Sequence, residues 1–278
     1  QISRLSFVFI LLIIFPGSAE HNCIIAVWGI VVGEIVSAVY NVYKYMHQPK
    51  KDKANALSSF RHGLRHYSVP LLSLSTSLTG TKLVIALLHS AESVFIAAAL
   101  RQYGCSTKEA LSIYGIISGM VMPFILFPSS ITNAIALMLL PAVATSSSDG
   151  DHAKVHRYFS TSNKYSLLLG GACTAFFMIF GNFLGDFCFH DQTAGEFLRL
   201  FSLLCPFLYM STTLTSIING LGKTKDTFLI TCVSQSMKLF CLVALVPHFG
   251  IMAYIYGTIL SQAFMALLCY LTARHLLA

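Results

Sequence analysis

Lys82, His89 and Glu92 stand inside the run 67–101, which is otherwise apolar enough to cross a membrane. A charged side chain at bilayer mid-depth costs about 3 kcal/mol on insertion scales, so such residues face a bundle interior or a wet cavity. Lys82 and His89 are seven residues apart and share a helix face, which Ser75 extends. As one helix the run would be about 50 Å long, against about 30 Å of hydrocarbon. That length places Lys82 near the midplane and Glu92 towards one interface, too far along the axis for the two to pair. Lys238, in SQSMKLFCLV, is a second mid-depth cation with Gln235 one turn before it, and Glu34 has a similar depth in an earlier apolar segment. Together they describe a cavity that is cationic at mid-depth and suited to an anionic group crossing the membrane. The competing reading is structural: a Lys–Glu pair between helices, for instance Lys238 with Glu34, or lysines snorkelling to an interface.

The elements that must hold these groups are membrane helices. Of 278 residues, 55% are hydrophobic and only 10% charged, with a mean hydropathy of +0.71. A soluble domain carries about a quarter charged residues. The fold expected is an all-α polytopic membrane protein of about eight spans. Residues 2–15 put one Arg before an apolar run, a pattern shared by signal peptides and by the tail of a span; we take the second reading because further spans follow and residue 1 is Gln. A second span runs over 23–45. The polar, basic stretch 47–66 is the clearest linker, dividing residues 1–46 from 67–278. Six more spans follow at 67–101, 110–145, 165–187, 197–221, 228–247 and 251–273. The second of these contains Pro123, Pro128 and Pro141 with Ser129, Ser130, Thr132 and Asn133 between them. Each proline removes a backbone donor that hydroxyls can replace, so a broken helix lining a cavity is expected there.

Charge gives the orientation. Arg4, Lys44, Lys50, Lys51, Lys53, Arg61, Arg65, Lys154, Arg157, Lys164, Lys223, Lys225 and Arg274 fall on one side, whereas Arg101, Lys108 and Arg199 fall on the other. The positive-inside rule makes the first side cytoplasmic, with both ends of the chain there. The net charge of +7 is thus a topology signal and implies no nucleic-acid partner.

Other patterns carry less. The eight cysteines include no CxxC pair and read as small buried apolar residues. INGLGKT at 218–224 has Ile217 where a phosphate loop needs Gly, and no strand precedes it. Asp151, His152 and His156 read as solvated polar residues of a cytoplasmic loop, 146–163, and no metal or cofactor is implied. Tyr40, Tyr43, Tyr45, Tyr254 and Tyr256 sit near span ends, where aromatic side chains anchor helices at the interface.

Four segments carry a family resemblance. EALSIYGIISGMVMPFILFPSSITNAIALMLLPAVA (109–144), ESVFIAAALRQYG (92–104), CPFLYMSTTLTSIINGLGKTKDTF (205–228) and VPHFGIMAYIYG (246–257) resemble the stage V sporulation protein B group of polysaccharide-biosynthesis membrane proteins. That group belongs to a flippase superfamily with the multidrug and toxin extrusion antiporters and the lipid II flippases. The resemblance implies two six-helix bundles working by alternating access. Residues 1–46 would be the last two helices of the first bundle and 67–278 the second bundle. It also implies an undecaprenyl-pyrophosphate-linked cell-wall precursor as substrate, in spore cortex formation.

The resulting expectation is a non-enzymatic flippase of the bacterial cell membrane. Lys82 and Lys238 would contact the pyrophosphate, Gln235 and Asn133 would line the cavity, and Arg101 would serve as an outer-rim cation. Glu34 or Glu92 would be the ion-coupling or gating carboxylate. Its partners would be the polyprenyl-linked lipid, membrane lipids and, through loops, cell-wall synthesis enzymes. The alternatives are a cation-coupled multidrug antiporter of the same fold and a non-transporting membrane scaffold.

Overall fold

A computed structural model describes residues 6–11, 19–46, 79–80 and 83–277. The chain forms two compact units, Gln1–Val69 and Pro70–Ala278. In the first, helix α1 (Ala19–Met46) is a 28-residue apolar rod with Lys44 in its last turn. Its flank carries exposed Trp28, Ile35, Val39 and Tyr40.

In the second unit six helices are long and apolar enough to cross a membrane. They are α2 (Leu83–Tyr103), α3 (Thr107–Ser148), α4 (His152–Phe189), α5 (Gln192–Gly220), α6 (Thr224–Phe249) and α7 (Ile251–Leu277). Short turns join them, so consecutive helices run antiparallel, and no strand occurs among the described residues. The starts are written in local chemistry. Ser106 and Glu109 form a reciprocal capping box at α3, Asp151 accepts from the Lys154 N–H at α4, and Asp191 accepts from Thr193 and Ala194 at α5. The Asp151 cap starts α4 well before its apolar stretch. Most of the expected loop 146–163 is therefore helix, and Asp151 is a cap.

Helix α3 is bulged where a break was expected. A π-turn at Ile117–Val121 absorbs the register just ahead of Pro123, and the helix continues through Pro128 and Pro141. The Ser129, Ser130 and Thr132 hydroxyls donate to the carbonyls of Leu126, Phe127 and Ser129. These lie one turn back, and are not the carbonyls that the prolines free four residues upstream.

Helix α5 is the hub. It packs against α3, α4 and α7, and 61% of its most apolar stretch is buried, against no more than 39% for any other span. Its buried side chains seed two cores, one around Phe201, Tyr209, Ile125 and Leu242, the other around Leu214, Ile217, Ile218 and Val143. Polar bonds fix the register. The Tyr209 hydroxyl donates to the Ile125 carbonyl of α3 at 2.9 Å. Pro206 cannot donate to the Ser202 carbonyl, and the Thr174 hydroxyl of α4 takes its place at 2.8 Å. Gly170 of α4 lies so close to Pro206 that a Cβ there would overlap the proline backbone, the small-residue contact expected between membrane helices.

Candidate functional site

Among the described residues the interior of the six-helix unit holds one charged cluster, built from three helices. Lys238, near the middle of α6, places its Nζ 2.6 Å from Glu92 Oε1 of α2. The Tyr254 hydroxyl of α7 donates to the same oxygen at 2.7 Å. The other carboxylate oxygen meets His89 Nδ1 at 3.2 Å, one turn away on α2. The Glu92 and Lys238 side chains are only 10% and 12% exposed, whereas His89 is 56% exposed. The carboxylate is thus held at both oxygens by partners on three elements, the condition under which a buried charge is tolerated.

The cluster faces a cavity of about 400 Å³ whose wall also includes Tyr114, Ser118, Gln235, Thr258 and Gln262. Every helix of this unit except α4 contributes to it, and α5 adds only the apolar Leu204 and Leu208. The polar side comes from repeats at helical spacing. Gln235 and Lys238, at one end of an α6 stripe that begins with Thr227 and Thr231, face the cavity, as do Tyr254, Thr258 and Gln262 on α7. Both stripes turn inward because polar groups cannot face hydrocarbon unpaired.

Several expectations change here. Glu92 was expected towards an interface; its carboxylate instead meets Lys238, which lies near the middle of α6. The interhelical pair is Lys238–Glu92, and the Lys238–Glu34 pairing is replaced. Tyr254 is not an interfacial anchor but a buried donor to Glu92. Gln235 lines the cavity as expected. Asn133 on α3 and Arg101 in the last turn of α2 are exposed, and neither lines this cavity. Glu34 is an exposed residue of α1 in the first unit, and Lys82 lies outside the described residues. Tyr254 and Gln262 escaped sequence reading, although the i, i+4, i+8 polar stripe of α7 pointed to them. Among the described residues no group of His, Cys, Asp and Glu could hold a metal ion.

A family model, MatE, matches residues 83–242, more than half of the chain and nearly all of α2 to α6. The chain belongs to the MatE family. Among curated MatE-like relatives, the chain is 23% identical to stage V sporulation protein B of Bacillus subtilis over 96% of its own length and 52% of the relative's. It is 24% identical to sporulation protein YkvU of the same organism, over 74% of its length and 46% of the relative's. It therefore spans about half the length of the curated relatives it matches. The MatE fold is evident in a solved structure as well: Vibrio cholerae MATE transporter VcmN, in the bent form, superposes with a TM-score of 0.64. That match covers 99% of this chain and 60% of the other at 15% identity. The architecture is a MatE membrane-transporter fold.

Proposed function

We propose that this MatE protein is a flippase for a polyprenyl-pyrophosphate-linked cell-wall or polysaccharide precursor, working by alternating access in the bacterial cell membrane, with both ends of the chain cytoplasmic and a role in sporulation. The observation that carries the reading is the Glu92–Lys238–Tyr254 cluster on the cavity at mid-span. The two relatives, both sporulation proteins by name, support the biological setting. A pyrophosphate head group needs a cation at mid-depth, and its lipid tail stays in the bilayer.

The pair refines the chemistry. Lys238 is already neutralised by Glu92, so a pyrophosphate reaches the ammonium only by displacing the carboxylate, which then needs a proton or another cation. This gives Glu92 the coupling role, ahead of Glu34. Lys82 is assigned a second pyrophosphate contact, Gln235 a polar contact in the cavity, and Asn133 and Arg101 positions along the substrate's path. The protein acts as a carrier rather than an enzyme.

The test is translocation of a fluorescent polyprenyl-pyrophosphate sugar by the protein in reconstituted vesicles. Lys238→Gln and Lys82→Gln, each still folded, are expected to slow transport at least tenfold. Unchanged transport in both, or none by the unsubstituted protein, overturns the reading. A cation-coupled multidrug antiporter is favoured by one observation: among the described residues Glu92 is the only carboxylate on the cavity wall, and a cationic drug would compete with Lys238 for it. Transport of a lipophilic cation that survives Lys238→Gln but not Glu92→Gln would establish that alternative.

A further inference from the structure

A second cavity, about 360 Å³, adjoins the charged one and shares Leu208, Gln235 and Gln262 with it. It extends from the cluster towards the end of the unit where α5 stops and α6 starts, at Asn219 and Thr224. Among the described residues no charged side chain lines it. Its polar wall is hydroxyl and amide: Ser211, Thr215 and Asn219 of α5, Thr227 and Thr231 of α6, and Gln235 between the two cavities. The donors are largely spent inside the protein. Thr231 donates to the Thr227 carbonyl at 2.7 Å, Thr227 to Asn219 Oδ1 at 2.7 Å, and Gln262 Nε2 to Ser211 Oγ at 2.7 Å. What remains towards the cavity is a row of oxygen acceptors together with the amide groups of Gln235 and Asn219.

From this wall we infer a subsite for the neutral, hydroxyl-rich part of a ligand, a glycosyl unit, whose charged end lies at Lys238. Sugar hydroxyls both donate and accept, and so answer hydroxyl acceptors and amide donors at once. Among the described residues of this wall an anion would find no cation and a cationic drug no carboxylate. An apolar molecule would strand the wall's polar atoms away from water. The volume is within the usual range for a small-molecule pocket. The inference rests on the flippase reading and adds what that reading lacks: a place where the protein tells a glycosylated lipid from a bare one.

The experiment measures binding of two probes to the full chain in lipid nanodiscs: a short-chain prenyl pyrophosphate and the same molecule bearing one sugar. The unsubstituted protein should hold the glycosylated probe about tenfold more tightly, the worth of one or two net hydrogen bonds. Thr215→Val and Thr231→Val, which keep side-chain shape, should each remove most of that preference while leaving the bare probe's affinity unchanged. Binding of the bare probe also reports that the variants are folded. Equal affinity of the unsubstituted protein for both probes overturns the subsite but leaves the flippase reading standing. So does an equal loss for both probes in the valine variants. Failure of either probe to bind the unsubstituted protein overturns the flippase reading and the subsite with it.

Discussion

At the residue scale the buried Glu92–Lys238 pair bears on stability, and removing one partner differs from removing both. Glu92→Gln leaves an ammonium buried without its counter-charge, and breaking a buried pair in this way costs about 3–5 kcal/mol. A clear fall in the melting temperature of the purified protein is expected. Replacing both partners, as Glu92→Gln with Lys238→Met, removes the stranded charge and should restore most of the lost stability. Thermal melting of the two single variants and the double completes the cycle; additive losses would mean that the pair is not coupled. Tyr254→Phe should cost less, about 1 kcal/mol, because Lys238 and His89 still hold the carboxylate. The two charges were legible in sequence because intramembrane ionisable residues are rare, but their partnership was not. Pairing between residues so distant in sequence, Glu92 with Lys238 and Tyr254, has no local signature.

At the element scale the bundle is held by close backbone contacts, and at Pro206 by one hydroxyl, that of Thr174, standing in for the missing proline donor. Gly170→Leu forces α4 away from Pro206 of α5, and overpacking of this kind costs about 1–3 kcal/mol. Thr174→Val strands the Ser202 carbonyl, with an expected cost of about 1 kcal/mol in a membrane interior. Both are read as shifts in melting temperature, and Gly171→Ala, where a Cβ meets nothing within 4 Å, serves as the neutral control. The six spans of this unit were legible from hydropathy alone. Their ends were not: α4 begins at His152 because Asp151 caps it, and a capped polar turn is invisible to an apolar window. The three prolines of α3 suggested a break, yet the π-turn at Ile117–Val121 absorbs the disturbance. That outcome depends on packing against α5, which a proline count does not reveal.

At the scale of the whole molecule, antiparallel alternation ties every turn to one face of the membrane, and the charges divide accordingly. The turns near Asp149 and Lys223 share a face with Lys154, Arg157 and Lys225. The turns near Gly104 and His190 share the other with Asp186 and Asp191. If the basic face is cytoplasmic, the exposed free thiol of Cys188, in the π-turn that ends α4, lies outside. A membrane-impermeant maleimide should therefore label Cys188 in intact cells. Ser148→Cys, placed at the opposite end of the unit in a Cys188→Ser background, should react only after the membrane is opened. The reverse pattern would invert the protein and move the α5–α6 turn, with the uncharged cavity that approaches it, to the outer face. On the proposed flippase reading that turn would matter, because a precursor assembled in the cytoplasm would meet the hydroxyl-lined cavity before it reached Lys238. In the expected orientation the glycosyl wall lies on the loading side and the ion pair lies deeper. Recognition of the neutral head would then precede the exchange of Glu92 for pyrophosphate at mid-depth.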